Sequence, residues 1–130
     1  MSWKLKQRYI HFTHYKSDTL FSFDRERSIF SNTKNTNFKF KDCVSGQIGS
    51  SLYTFKQFPL IVTRYDNLSV TEEVPAGKML AALNQNRMDF ALSSYRSRSF
   101  YLTGGIQDIW DKETNKVLEF SLLTNKFRQI

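Results

Sequence analysis

The chain has 130 residues, a formal net charge of +7 and one cysteine, Cys43. This length corresponds to about one domain, so we expect residues 1–130 to form a single domain. With 40% hydrophobic and 15% aromatic residues the chain is not of the disordered type. A lone cysteine excludes a disulfide scaffold and a cysteine-based zinc site. No apolar run approaches a membrane span, and the N-terminal residues lack the apolar stretch of a secretory signal. We therefore expect an intracellular, cytoplasmic protein, and an organellar location stays open.

Short aromatic and β-branched runs, separated by polar clusters, follow one another along the chain and predict an all-β protein. In chain order these runs cover residues 9–15, 20–23, 38–40, 60–65, 90–92, 100–102 and 117–123. One stretch differs. Between Ala76 and Leu83, the side chains of Met79, Leu80 and Leu83 share one face at helical spacing, which predicts one or two turns of helix.

The C-terminal third contains four predicted strands in a row. They lie at residues 87–92, 99–105, 115–121 and 126–130. A polar turn at Tyr95–Arg98 separates the first two, a charged loop at 107–113 separates the next two, and Thr124–Asn125 turns the chain into the last. Four consecutive strands joined in this way predict one antiparallel sheet.

This block resembles a kelch repeat. The matching residues are Arg87, Phe100–Leu102, Gly104–Gly105, Val117, Phe120, Thr124–Asn125 and Phe127. Phe127 stands where the family more often has Trp. The resemblance implies a four-stranded blade of a β-propeller, and for the family as a whole it implies protein partners held by the loops at the ends of the blades.

Weaker matches to the pattern of this unit lie upstream. Ser51–Phe55 precedes Ser99–Thr103 by 48 residues, near the kelch period, and Tyr9–Phe12 lies a similar distance further upstream. Both upstream units lack the glycine pair, and the first lacks a leading strand. We thus predict about three kelch-like blades at residues 1–34, 35–75 and 87–130. Closed propellers need at least about four blades. The prediction is therefore a partial propeller, completed by a larger assembly or by a second copy in a six-bladed dimer.

Most chemically suggestive residues are interpreted as structural. His11 and His14 lie three apart, so a strand directs them to opposite faces rather than to one metal ion. Cys43 is expected to be buried, although Lys41 beside it could lower the pKa of its thiol. The G-x-x-G of Gly46–Gly49 is interpreted as a turn between two strands and not as a phosphate-binding loop, because no helices flank it.

Two places are predicted to bind a partner. In the charged loop, Trp110 is flanked by Asp108 and Asp111; the tryptophan either anchors an interface or folds back on its own blade. These carboxylates with Glu113 could also bind Ca²⁺, but the spacing is not that of an EF-hand, and a solvated loop is preferred.

The second place is the turn with Arg96 and Arg98 beside Tyr95. Cations next to aromatic rings are typical of surfaces that bind single-stranded nucleic acid, but no RNP-like motif accompanies them. An ordinary basic strand end is the alternative.

No acid–base pair, nucleophile set or metal cluster stands out, so we expect no enzyme, no catalytic residues, no cofactor and no metal. The sequence predicts a non-catalytic protein-interaction or scaffold module that acts as a subunit of a larger assembly, with a protein partner or a second copy of the chain. A small basic nucleic-acid-binding β-protein, such as a ribonucleoprotein subunit, is the alternative.

Overall fold

The computed structural model describes residues 8–14, 16–34, 40–66, 77–107 and 112–130. No helix occurs among these residues, so the all-β prediction is confirmed. The first sheet contains β1 (Tyr9–Thr13), β2 (Thr19–Asp24) and β3 (Ile29–Lys34), paired in that order. The second sheet contains β4 (Cys43–Ile48), β5 (Ser51–Gln57), β6 (Leu60–Tyr65) and β7 (Lys78–Leu83), also paired in order.

The remaining strands form one large and one small sheet. They are β8 (Arg87–Met88), β9 (Ala91–Tyr95), β10 (Ser99–Thr103), β11 (Ile106–Gln107), β12 (Lys112–Glu113), β13 (Val117–Ser121) and β14 (Lys126–Gln129). The third sheet has the order β9-β10-β13-β14, and the small fourth sheet has the order β8-β11-β12. Every strand pair is antiparallel, and none of these sheets closes into a barrel.

The predicted helical turns at 76–83 are wrong for the residues described there, which form β7. Leu83 pairs with Leu60 and Ala82 with Ile61 along β6. A segment this short gains little as an isolated helix, because helix nucleation is costly. Pairing with β6 instead gives the backbone N–H and C=O groups of this segment interstrand hydrogen bonds. The second sheet therefore continues to Leu83, past residue 75, where the sequence predicted the second unit to end.

The predicted strand at 87–92 is divided in two. Asp89 has a positive φ of 54° between β8 and β9, and its N–H donates to the Gln57 side chain at 2.9 Å. This break sends β8 into the small sheet and β9 into the third sheet. The other three predicted strands of the last unit correspond to β10, β13 and β14, and both turns lie where the sequence predicted them. The predicted charged loop at 107–113 differs, because it contains β12 and the end of β11.

The second sheet lies between the first and the third. One of its faces contributes Tyr53, Phe55, Leu60 and Val62 to a core shared with Phe100, Leu102, Leu118 and Phe120 of the third sheet. Phe55 makes edge contacts with the rings of Phe100 and Phe120, at 5.2 and 5.9 Å between centroids. The opposite face contributes Leu52 and Tyr65 to a smaller cluster with Leu20 and Phe40.

The directions of the strands at these interfaces differ. Gln57, which ends β5, donates to the Asp42 carbonyl just before β4 and accepts from Asp89 just before β9. Thus β4 and β9 begin at the same end and run in parallel. By contrast, Tyr9 at the start of β1 accepts a hydrogen bond from Gln47 late in β4, and Thr13 at the end of β1 bonds to the earlier Ser45. Hence β1 runs opposite to β4.

Candidate interaction surfaces

The outward face of the first sheet is aromatic. Cross-strand partners share a face of a sheet, and the register places Ile10, Phe23 and Phe30 in one row and Phe12, Phe21 and Asn32 in the next. We call these six residues the outward face. Its rings pack on one another, Phe12 on Phe21 at 5.5 Å and Phe23 on Phe30 at 4.6 Å. Ile10, Phe12 and Phe30 nevertheless expose 42%, 39% and 69% of their surface.

The opposite face of the same sheet, which packs on the second sheet, is more polar. His11 is buried, and its ring lies 2.7 Å from the Ser22 hydroxyl. The Gln47 side chain accepts from the His11 N–H at 2.8 Å and donates to the Tyr9 carbonyl at 3.1 Å. The amide of Gln47 thus satisfies backbone groups of β1 much as a neighbouring strand would. The usual arrangement, with the apolar face inward, is inverted in this sheet.

The outer face of the third sheet is polar. Tyr101 donates to the Glu119 carboxylate at 3.0 Å, and Arg128 pairs with the same carboxylate at 2.9 Å. The Tyr101 hydrogen bond, helped by the Arg128 charge, lowers the pKa of Glu119, and the pKa of Tyr101 is raised in turn. Ser121 and Lys126 share this face, and with Arg128 they line a groove of about 490 Å³. The two ends of the three-sheet series therefore differ in chemistry.

The predicted turn with Arg96 and Arg98 lies at the edge of that polar face. The Arg98 N–H donates to the Tyr95 carbonyl at 3.0 Å, and the two central residues, Arg96 and Ser97, have φ of 51° and 53°. Positive φ at both central positions is typical of a type I′ turn, where Asn and Gly are the favoured residues. The Arg96 guanidinium lies 5.1 Å from the centre of the exposed Tyr95 ring. Both arginines are exposed.

The predicted loop site, with Asp108, Trp110 and Asp111, falls outside the described residues. The strands that flank the loop, β11 and β12, pair with each other in the small sheet. The predicted Trp110 anchor stays a prediction.

Arg87, which carries part of the kelch resemblance, is fully buried. Its Nη1 donates to the Lys116 carbonyl at 2.9 Å, whereas its Nε and Nη2 have no hydrogen-bond partner among the residues described. Burial lowers the pKa of this guanidinium. A buried cation with two unsatisfied donors is costly to the fold.

The residues interpreted as structural are accounted for by packing. Cys43 is buried as expected, and burial raises the pKa of its thiol to about 11, so the neighbouring Lys41 does not activate it. His14 differs from the prediction, because it is exposed beyond the end of β1 while His11 is buried. In the part of the chain that the structure describes, no group of three or more His, Cys, Asp or Glu side chains could hold a metal ion.

The two glycine motifs serve backbone geometry. Of the two glycines in the G-x-x-G, only Gly49 lies in the predicted turn between β4 and β5, with a φ of 61°; Gly46 lies within β4. Gly104 and Gly105 follow β10 with φ of 68° and 86°. A Cβ on Gly105 would overlap the Met88 carbonyl oxygen, so only glycine fits there.

The outward face of the first sheet was not predicted from the sequence. The signal was present as alternation, because Ile10 and Phe12 flank His11 and the phenylalanines Phe21 and Phe23 flank Ser22. Alternation predicts that one face is apolar, but it does not say whether that face is covered.

Among the described residues, no helix is long and apolar enough to cross a membrane. No protein-family model matches this sequence, and no characterised protein is similar enough to it to indicate a family.

Proposed function

We propose that this chain is a non-catalytic protein-interaction or scaffold module, built from kelch-like blades, that works as a subunit of a larger assembly. The observation that carries the proposal is the outward face of the first sheet. Exposed apolar residues are normal when scattered, but a contiguous aromatic patch is characteristic of an interaction site. Here the more apolar face of a sheet points away from the other sheets that the structure describes, and Ile10, Phe12 and Phe30 on it are exposed.

The arrangement of the three large sheets supports the kelch-like part of the proposal. They are antiparallel meanders packed in chain order, and β4 contacts both β1 and β9. Ser51 and Ser99, which are 48 residues apart, each begin the second strand of a large sheet. The first sheet departs from this pattern, because β1 contacts β4 but runs opposite to it, whereas β4 and β9 run in parallel.

The polarity of the third sheet supports a one-sided module. Stacked repeat proteins commonly end in a unit whose outer face is polar. The Tyr101–Glu119–Arg128 network gives the third sheet such a face. The module would therefore offer the outward face of the first sheet, rather than that of the third, to its partner.

A capture experiment with matched variants tests the proposal. The tagged chain is used as bait in cell extract, beside Phe30→Lys on the outward face and Arg128→Ala on the third sheet. Phe30 is 69% exposed on an edge strand, so its replacement should leave the fold intact, which circular dichroism can verify. We expect the wild-type bait to capture one protein in stoichiometric amount, and this binding should persist at high salt. Phe30→Lys should abolish the capture, whereas Arg128→Ala should retain it. Equal recovery by all three baits would contradict the proposal.

A second function is favoured by one observation, the exposed Tyr95 ring with the Arg96 guanidinium against it. Arg98, Lys126 and Arg128 add positive charge along the same polar face. Rings and cations on an open sheet are the elements that bind single-stranded nucleic acid. This candidate predicts that anisotropy titrations with a fluorescent single-stranded RNA give an affinity that falls steeply with salt. Arg96→Ala with Arg98→Ala should then weaken binding and reduce the salt slope by about two.

A further inference from the structure

We propose that the outward face of the first sheet binds the same face of a second copy of this chain, about a two-fold axis. The inference rests on the proposed function and deepens it by naming the occupant of the surface. A two-fold interface uses one patch twice, so the patch must be complementary to itself.

The composition of the face meets this requirement. Its two rows contain five large apolar side chains and Asn32, and no charged residue lies within them. The chain carries a net charge of +7, so most surfaces of two copies repel each other. The outward face brings the copies together without placing like charges in direct contact. Rings already paired as Phe12–Phe21 and Phe23–Phe30 lose little freedom when a second layer packs on them.

A head-to-tail dimer, the arrangement that a six-bladed ring requires, fits poorly. It would place the aromatic rows of one copy against the outer face of the third sheet of the other. That face carries Glu119, Lys126 and Arg128, which would lose water without gaining partners. The asymmetry of the two ends therefore favours contact between two first sheets.

The area of the face determines how strong this contact can be. From the exposed fractions of Ile10, Phe12 and Phe30, with smaller shares from Phe21 and Phe23, each copy offers roughly 300–400 Å². Stable dimers bury about 800 Å² on each partner. The dimer should thus be weak and strongly dependent on concentration, unlike a permanent complex.

Sedimentation velocity on the full chain, from about 5 to 500 µM, tests the proposal across the range expected for a weak dimer. We expect the average sedimentation coefficient to rise from that of a monomer toward that of a dimer. Phe12→Lys and Phe30→Lys should each weaken association at least tenfold, and the matched Arg128→Glu on the third sheet should leave it unchanged. A double Phe12→Lys, Phe30→Lys chain mixed with a double Phe12→Glu, Phe30→Glu chain should restore dimers, because only contact between two outward faces brings opposite charges together.

A chain that stays monomeric over the whole range overturns the proposal. Association that persists in both lysine variants, or that is lost with Arg128→Glu, also overturns it. These results would contradict self-association without contradicting the proposed function. If a monomeric chain still captures a different protein in a manner that depends on Phe30, the module binds a foreign partner and the self-association alone is wrong.

Discussion

Gly46 offers the sharpest test of how the second and third sheets pack. It lies within β4, facing the third sheet, and a Cβ built on it would be 2.6 Å from Cε1 of Phe100 and 3.1 Å from Cδ2 of Leu92. The Phe100 ring is itself buried between Tyr53 and Phe55, at centroid distances of 5.1 and 5.2 Å. The ring cannot yield without disturbing both neighbours. Gly46→Ala should therefore destabilise the fold by overpacking.

The expected loss in free energy of unfolding is about 1–3 kcal/mol, the usual cost of an added methyl group in a packed core. For a chain of this length the melting temperature should fall by roughly 3–12 °C. Urea denaturation followed by tryptophan fluorescence or circular dichroism measures the loss, with an unchanged m-value if only stability has changed. Because Phe100 is the clashing group, Gly46→Ala combined with Phe100→Leu should cost about 1 kcal/mol less than the sum of the two single changes.

Gly49 supplies the matched control from the same G-x-x-G motif. It has a φ of 61°, and apart from its neighbours in sequence no described residue has an atom within 4 Å of the position of a Cβ. Gly49→Asn should therefore be nearly neutral, because asparagine tolerates the left-handed region. A Gly46→Ala chain as stable as the wild type would refute the packing of Phe100 against β4. Equal sensitivity at both glycines would point to a role for the motif other than geometry.

Three further predictions concern titratable and charged groups. Arg87→Met should leave stability within about 1 kcal/mol of the wild type or raise it, because two donors of the buried guanidinium have no partner among the described residues; a loss of about 3 kcal/mol or more in urea denaturation would reveal a buried ion pair. The Cys43 thiol, with a pKa of about 11, should react with a disulfide reagent at pH 8 roughly 100-fold more slowly in the folded than in the unfolded chain, and equal rates would show that it is accessible. The folded-state pKa of Glu119 is lowered by Tyr101 and Arg128, so its stabilising contribution is complete above the unfolded pKa of about 4.3 and disappears as the pH falls through the folded value. Glu119→Gln should flatten the acid limb of the stability curve, and an acid limb identical to that of the wild type would contradict this assignment.

The local features of the fold could be predicted because local sequence carries them. The position of the turn after β9, the glycine pair and strands β10, β13 and β14 follow from alternation and from polar or glycine residues within a short stretch of sequence. Cys43 was likewise predicted to be buried from its type and surroundings alone. These features depend little on what the rest of the chain does.

The features that the sequence analysis got wrong depend on distant partners. The spacing of Met79, Leu80 and Leu83 fits a helix. Backbone pairing with β6 makes the segment a strand instead. Asp89 interrupts a predicted strand because the Gln57 side chain, 32 residues earlier, accepts its N–H. Neither partner can be read from the local pattern.

By itself, the sequence determined that this chain is a series of short antiparallel strands, because alternating aromatic and polar residues suit a pleated sheet and little else. Alternation also gives β1 and β2 of the first sheet one apolar face each. Only the tertiary structure decided which face is covered. Gln47 satisfies the backbone of β1 and His11 bonds with Ser22 on the inner side, which leaves the aromatic rows outside. Packing of whole sheets made that choice, and the exposed aromatic face follows from it.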